Sequence, residues 1–187
     1  MPDLRAQIRA RALTEGFDVV RFAKAEAPPN AAEALASFLG KQRHGTMEWM
    51  ERNADRRADP KTLWPEAKTA ILLGMNYGPR NGYFYRSIPT DRAAISVYAQ
   101  GDDYHDTIKG MLKRFGHFVA DKYKADVKVF VDTAPVMEKP LAEAAGIGWQ
   151  GKHTVLVSKQ FGSWLFLGAI LTDAVLPADK PHDESCG

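Results

Sequence analysis

Residues 127–146 read VKVFVDTAPVMEKPLAEAAG, and the order of elements in this stretch decides the fold. VKVFV is rich in β-branched and aromatic residues and reads as a strand over 127–131. Asp132-Thr133-Ala134-Pro135 is a turn, and a helix follows that ends at Gly146. Downstream, Thr154–Ser158 and Trp164–Leu171 flank Lys159-Gln160-Phe161-Gly162, which predicts a β-hairpin with a glycine in its loop. Upstream, Asp103 to Lys124 is the clearest helix, with Ile108, Met111, Leu112, Phe115, Phe118 and Val119 at three–four spacing. Ala93–Tyr98 and the apolar Thr69–Tyr77 read as strands. Residues 78–92, rich in Gly, Pro, Arg and Tyr, form a long loop between them. Nearer the N-terminus come a helix on Leu4, Ile8 and Ala12 stopped by Gly16, a strand over Phe17–Ala23, a helix capped by Asn30, and a short helix carrying Trp49 and Met50. Strands and helices alternate, and the hairpin requires some antiparallel pairing. The expectation is an α+β fold with a mixed sheet sandwiched by helices.

The bulk numbers narrow the function classes. The chain has 187 residues, 45% hydrophobic and 26% charged, which suits a globular protein able to bury a core without disulfide or metal staples. Its net charge is +2, so any nucleic-acid binding must rest on a local basic patch. A single cysteine, Cys186, leaves no intrachain disulfide to form. The N-terminus has no apolar signal core, and the apolar runs 70–75 and 164–171 are too short to cross a bilayer. A cytoplasmic, monomeric protein away from membranes is expected. Residues 177–185, PADKPHDES, read as a linker.

No P-loop, nucleophile elbow or HExxH motif is present. Gly146, Gly148 and Gly151 have G-x-G-x-x-G spacing, but they follow a helix and precede a strand, the reverse of a dinucleotide site. They either let backbone approach a bulky flat ligand or serve as a helix stop and a turn. Asp132, between strand and helix, is either a helix cap or a catalytic acid. Asp103 has the position of an N-cap, and His105 lies in the first turn of the long helix. His153 precedes a strand and reads as half-buried. Arg56 and Arg57 read as a solvated charge run, and the Trp49, Trp149 and Trp164 indoles as core.

These segments carry a resemblance. YAQGDDYHD (98–106), FVDTAPVMEKPLAEAAGIGWQGKHTVLV (130–157), GSWLFLGAILTD (162–173) and the closing ESCG resemble epoxyqueuosine reductases, with support from MEWMERN (47–53) and ILLGMNYGP (71–79). The resemblance implies reduction of epoxyqueuosine to queuosine in tRNA, with cobalamin and two [4Fe-4S] clusters as cofactors and an external electron donor. It implies a fold like that of reductive dehalogenases, related to nitroreductases. It places the proton donor on Asp132, with Asp103 and His105 facing the same cavity, and makes Arg57, Tyr98, Gly101, Tyr104, Trp149, Lys152 and His153 neighbours of the cofactor. Burial beside the strand is expected to raise the Asp132 pKa. For tRNA, Arg56, Arg57, Arg80, Arg86 and Lys152 are the candidate phosphate contacts.

The resemblance also divides the chain into a cobalamin-binding catalytic domain, 1–176, and a linker with the start of a ferredoxin-like domain, 177–187. In the family the first cluster motif reads roughly C-G-x-C-x-x-C-x-x-x-C-P, and only its opening Cys186-Gly187 stands here, so a longer natural protein is expected. A flavin-dependent nitroreductase-like oxidoreductase and a non-catalytic tRNA- or cobalamin-binding module are the alternatives.

Overall fold

The structure, a computed structural model, describes residues 3–78 and 91–182. Helix α1 (Leu4–Glu15) ends at Gly16, whose φ of 105° gives the left-handed stop that the sequence predicts. Strand β1 (Val19–Lys24) follows, then α2 (Ala31–Gly40) and three short helices, α3 (Trp49–Arg52), α4 (Ala54–Ala58) and α5 (Pro60–Leu63). Strand β2 (Thr69–Asn76) is central. Beyond the loop come the long α6 (Tyr104–Tyr123), β3 (Val127–Phe130), α7 (Glu138–Ala144), the short pair β4 (Trp149–Gln150) and β5 (Leu156–Val157), and β6 (Leu165–Thr172). No described helix is long and apolar enough to cross a membrane. Most of the predicted loop, residues 79–90, and Cys186 with the end of the linker lie outside the described residues.

The main sheet has the order β1-β2-β6-β3. Strand β6 enters last and fills the space between β2 and β3. It pairs with β2 from Thr69 opposite Thr172 to Asn76 opposite Leu165, and with β3 from Val127 opposite Thr172 to Phe130 opposite Ala169. Every pairing among the described residues is antiparallel. The α+β class and the helix-covered sheet therefore stand, while the expected mixture of strand directions gives way to an antiparallel one. Strand–helix alternation suggested parallel crossovers, but β2 and β3 are joined through β6, which runs against both.

Two other local readings change. The predicted hairpin does not form as such. Strand β5 folds back onto β4, a Ser158–Gly162 bridge closes the Lys159–Phe161 turn, and β6 leaves for the main sheet. Residues 93–98 are not a strand but irregular chain running into a turn of 3₁₀-helix, Val97–Ala99. Of the tryptophans read as core, Trp49 is 49% exposed and Trp149 and Trp164 are half-buried, whereas Trp64 is the buried one.

Alternation along the strands sends side chains to two cores. Ile71, Leu73 and Ile170 meet α1 and α6 through Ile8, Ile108, Leu112 and Phe115. Ala70, Leu72, Ala169 and Leu171 meet α7 and Trp64 through Leu141 and Ala142 on the other face. Burying these aliphatic side chains contributes about 1.5–3 kcal/mol for each large one. Gly168 lets α6 sit close, because a Cβ there would meet Leu112 at 3.0 Å.

The segment after β6 is a strap rather than a free linker over its described length. Asp179 bonds Arg5, Arg9 (2.7 Å) and the Phe22 amide (2.9 Å), and the Asp179 amide donates back to the Phe22 carbonyl. Lys180 fits against Gly146, where a Cβ would stand 2.2 Å from its carbonyl oxygen. Asp179→Ala is expected to cost about 1.5–3 kcal/mol, the range for hydrogen bonds to a charged group. Urea unfolding measures the loss, and faster amide exchange over 176–182 locates it.

Candidate active site

The first turn of α6 builds one wall of the site. Asp103 caps the helix, as its position predicted, and its Oδ1 accepts from the His105 amide at 2.9 Å. The same oxygen lies 2.8 Å from His105 Nδ1. The His105 amide, and then its ring, hold the Asp103 carboxyl below its ordinary pKa. With Nδ1–H turned to Asp103, the imidazole presents Nε2 to Asp132, whose Oδ2 is 3.8 Å away. The Tyr104 hydroxyl donates to that Oδ2 at 2.5 Å. Burial, and then the bond to Asp132, push the Tyr104 pKa up, so the phenol keeps its proton and acts as a donor.

Packing from the sheet fixes this wall. The Tyr104 ring stacks on Phe166 of β6, centroids 4.0 Å apart and planes within 6°. Phe166 stacks on Tyr77 at 4.2 Å, and His105 stacks on the outer side of Tyr104 at 4.0 Å. These rings form a column rooted in the sheet, worth about 0.5–1.5 kcal/mol per pair beyond burial.

Asp132 lies in the turn after β3 with φ of 47°. For a non-glycine residue that backbone costs roughly 1–2 kcal/mol. It is not a helix cap, because α7 starts only at Glu138 and its N-cap is Met137. Nor is it buried, since 47% of its side chain is exposed. The buried carboxyl of the site is one that the sequence reading did not select. Glu138 is 9% exposed, and its Oε1 has no hydrogen-bond partner among the described residues. Desolvation raises its pKa from 4.5 to about 7, and the Asp132 charge adds to the rise. Its own amide, Arg57 and the Asp132 amide oppose the shift. The only signal in the sequence was its place at the head of a helix after a turn.

Arg57 faces Glu138. It is half-buried rather than solvated, its guanidinium lies 4.7 Å over the Trp49 ring, and its Nε is buried without a partner among the described residues. Burial lowers its pKa and the Glu138 charge restores part of that. Arg57, Asp132, Glu138, Leu165 and Phe166 line a cavity of about 420 Å³. A more apolar cavity of about 540 Å³ adjoins it and shares Met50, Met137, Pro140, Gln150 and Thr154. Together they make one cleft between α2 and α7.

The predicted cofactor neighbours divide into groups. Arg57 lines the cleft. Tyr98, Gly101 and Tyr104 line a separate hollow of about 270 Å³ with Tyr77 and Phe166. Trp149, Lys152 and His153 line none of these cavities. Trp149 lies 5.3 Å from the His182 ring. His153 is exposed rather than half-buried, and its Nδ1 accepts from the Val155 amide at 3.2 Å. Of the two uses open to the glycines, the protein itself takes up the space: a Cβ on Gly148 would stand 2.0 Å from the Val157 carbonyl oxygen. Among the described residues no group of His, Cys, Asp and Glu could hold a metal ion.

Residues 57–133 match the family described as "Epoxyqueuosine reductase QueG, DUF1730". The chain is 41% identical over 155 residues to the epoxyqueuosine reductase of Escherichia coli K12, an alignment covering 82% of the chain and 41% of that protein. It is 38% identical over 186 residues to the Vibrio cholerae epoxyqueuosine reductase, covering 98% of the chain and 50% of that protein. The chain thus spans about half the length of the curated relatives it matches. Among solved structures, the Streptococcus thermophilus epoxyqueuosine reductase matches with a TM-score of 0.84 at 25% identity, over 98% of this chain and 50% of that one. An epoxyqueuosine reductase solved with an epoxyqueuosine-modified tRNA stem loop matches in fold, with a TM-score of 0.82 at 24% identity, over 98% of this chain and 49% of that one. A B12-dependent reductive dehalogenase shares the fold more distantly, with a TM-score of 0.59 at 16% identity, over 99% of this chain and 22% of that one. The chain is a relative of the epoxyqueuosine reductases, as its motifs implied, and has the fold expected from them.

The buried Glu138 has a consequence for stability. Between 4.5 and about 7 the folded protein keeps a proton that the unfolded chain has released, so stability falls as pH rises through that window. Glu138→Gln removes the penalty. Its free energy of unfolding in urea is expected to exceed that of the wild type above pH ~8, by a few kcal/mol at most, with the gap closing towards pH ~4.5.

Proposed function

We propose that residues 1–176 are the cobalamin-binding catalytic domain of a cytoplasmic epoxyqueuosine reductase, which reduces the epoxide of epoxyqueuosine in tRNA to the alkene of queuosine, with Asp132 as proton donor. The observation that carries this reading is the setting of Asp132. Its carboxyl stands on a strained turn at the edge of the cleft, bonded by Tyr104 and approached by His105. Strain kept at one exposed carboxylate, with the Tyr104 hydroxyl spent on orienting it, suits a reacting group better than a structural one.

Removal of the epoxide oxygen as water takes two electrons and two protons. The electrons are the chemistry that cobalamin would supply when bound. The cleft fits such a group in character: it is largely apolar and carries few polar side chains, among them Arg57 Nε and Glu138 Oε1, which have no partner among the described residues. Arg57, Met50, Met137 and Gln150 would hold it, with Tyr98 and Gly101 on the far side of the aromatic column. Among the described residues no cysteine is present to ligate a [4Fe-4S] cluster; Cys186 lies outside them.

The protein's own part is proton delivery and exclusion of water. Tyr104 fixes the Asp132 carboxyl through Oδ2, near which His105 Nε2 stands at 3.8 Å, and the other oxygen is left to meet the departing oxygen. Asp103 holds His105 in the tautomer that points Nε2 at Asp132. For the tRNA, Arg56 and Lys152 are exposed and suit phosphate contacts, while Arg57 is turned towards Trp49 and Glu138. Arg80 and Arg86 lie outside the described residues. Because the net charge is only +2, binding through such a patch should weaken steeply with salt.

Asp132→Asn in the full-length, cobalamin-loaded enzyme is expected to lose about 10²–10⁴-fold in turnover of an epoxyqueuosine-containing tRNA stem loop. The corrin spectrum and the thermal midpoint should stay near those of the wild type, since Asn tolerates left-handed backbone as Asp does. Retention of more than about a third of the turnover, well above that range, rejects the proton-donor role.

A further inference from the structure

The cavity beside Asp132 is lined by residues whose polar groups are mostly spoken for. Asp132 accepts from the Tyr104 hydroxyl, Lys139 bonds the Thr154 carbonyl oxygen at 3.3 Å, and the Gln150 side chain donates to Glu143 at 2.8 Å. Two atoms of the lining residues are different. Glu138 Oε1 and Arg57 Nε are buried and have no partner among the described residues. Glu138 stands at the head of α7 and is 9% exposed. Arg57 comes from α4, with its guanidinium seated 4.7 Å over the Trp49 ring. One atom is an acceptor and the other a donor, and they do not satisfy each other. Folded proteins match nearly all of their buried polar atoms, so two unmatched atoms of opposite kind at one cavity point to a group that binds there.

The chemistry of the pair limits the ligand. A carboxylate would be repelled by Glu138 and an ammonium by Arg57. A neutral group with an N–H beside a C=O satisfies both. We propose that Glu138 and Arg57 form a subsite for an amide edge, which gives its N–H to Glu138 Oε1 and accepts on its carbonyl oxygen from Arg57 Nε–H. The inference rests on the function proposed above, which brings two such edges to the cleft. One is a carboxamide side chain of cobalamin. The other is the lactam edge of the guanine-like base that carries the epoxide. Binding alone is involved, with no covalent bond changed and no electron moved. Leu165, Phe166 and Leu167 line the same cavity of about 420 Å³, so the edge is read in apolar surroundings, where a missing hydrogen-bond partner is costly.

Two binding measurements on the full-length enzyme test this and separate the two sources. Glu138→Leu removes the acceptor, and Glu138→Gln keeps a side-chain carbonyl oxygen in its place. Each removes a buried acid, so both should keep the wild-type thermal midpoint or exceed it, and a loss of affinity is then not a loss of fold. The first arm titrates the cobalamin-free enzyme with hydroxocobalamin and follows the corrin absorbance. A loss of about tenfold to a hundredfold in Glu138→Leu, with Glu138→Gln within about tenfold of the wild type, assigns the edge to the cofactor. The second arm saturates the enzyme with hydroxocobalamin and compares two RNA stem loops. One has guanosine at the wobble position, and the other has 2-aminopurine riboside, which lacks the lactam. A wild-type preference for guanosine of about tenfold or more, abolished in Glu138→Leu and kept in Glu138→Gln, assigns the edge to the base. A purely structural role for Glu138 would weaken both stem loops alike and leave their ratio unmoved. If Glu138→Leu keeps both the wild-type cofactor affinity and the wild-type ratio of stem loops, water alone serves the two atoms and the proposal is overturned, while the function proposed above stands. If the wild type itself takes up neither hydroxocobalamin nor a stem loop, the functional reading fails and the subsite falls with it.

Discussion

Strand β6 is the element on which the rest of the protein depends. Its whole length pairs with β2 while its other edge takes β3, so it closes a sheet that would otherwise be two separated pieces. Its alternating side chains then serve both cores: Ile170 faces α6, and Leu167, Ala169 and Leu171 face α7. A slip of one residue would exchange these faces and bury nothing well, so the register is strongly fixed. The same register sets Phe166 under Tyr104 and Leu165 into the wall of the cavity that Asp132 also lines.

From that sheet the site follows by stacking rather than by a dense hydrogen-bond network. The column of Tyr77, Phe166, Tyr104 and His105 transmits the rigidity of β2 and β6 to the first turn of α6. Tyr104 and His105 then reach across to a turn whose backbone is itself strained. The two carboxyls of that region have opposite settings. Asp132 is solvent-exposed and polar-bonded, and Glu138, six residues on, is desolvated beside Arg57.

The closing strap adds a further constraint. Asp179 gathers Arg5 and Arg9 of α1 and the Phe22 amide, and both guanidinium groups also lie over the Phe22 ring, at 4.9 and 5.1 Å. The sequence PADKPHDES reads as a linker because its residues are polar and its prolines prevent helix. Nothing local in it shows that one aspartate finds its partners more than 150 positions away.

What the sequence by itself determined is whatever depends on near neighbours along the chain. The three–four spacing of Ile108, Met111, Leu112, Phe115 and Val119 predicted α6 and its buried face. The apolar run at 69–77 predicted the central strand, Gly16 and Gly146 the helix stops, and the motifs around Asp132, Asp103 and His105 three side chains that the structure brings close together. Tertiary structure decided the rest. The partner of β6, the all-antiparallel sheet, the loss of the 154–171 hairpin, the positive φ of Asp132 and the burial of Glu138 each depend on segments distant in the chain. Period and propensity are set within a turn or two of backbone. Which strand lies beside which, and which carboxyl loses its water, is settled only when the whole core packs and the desolvation of every group is weighed at once.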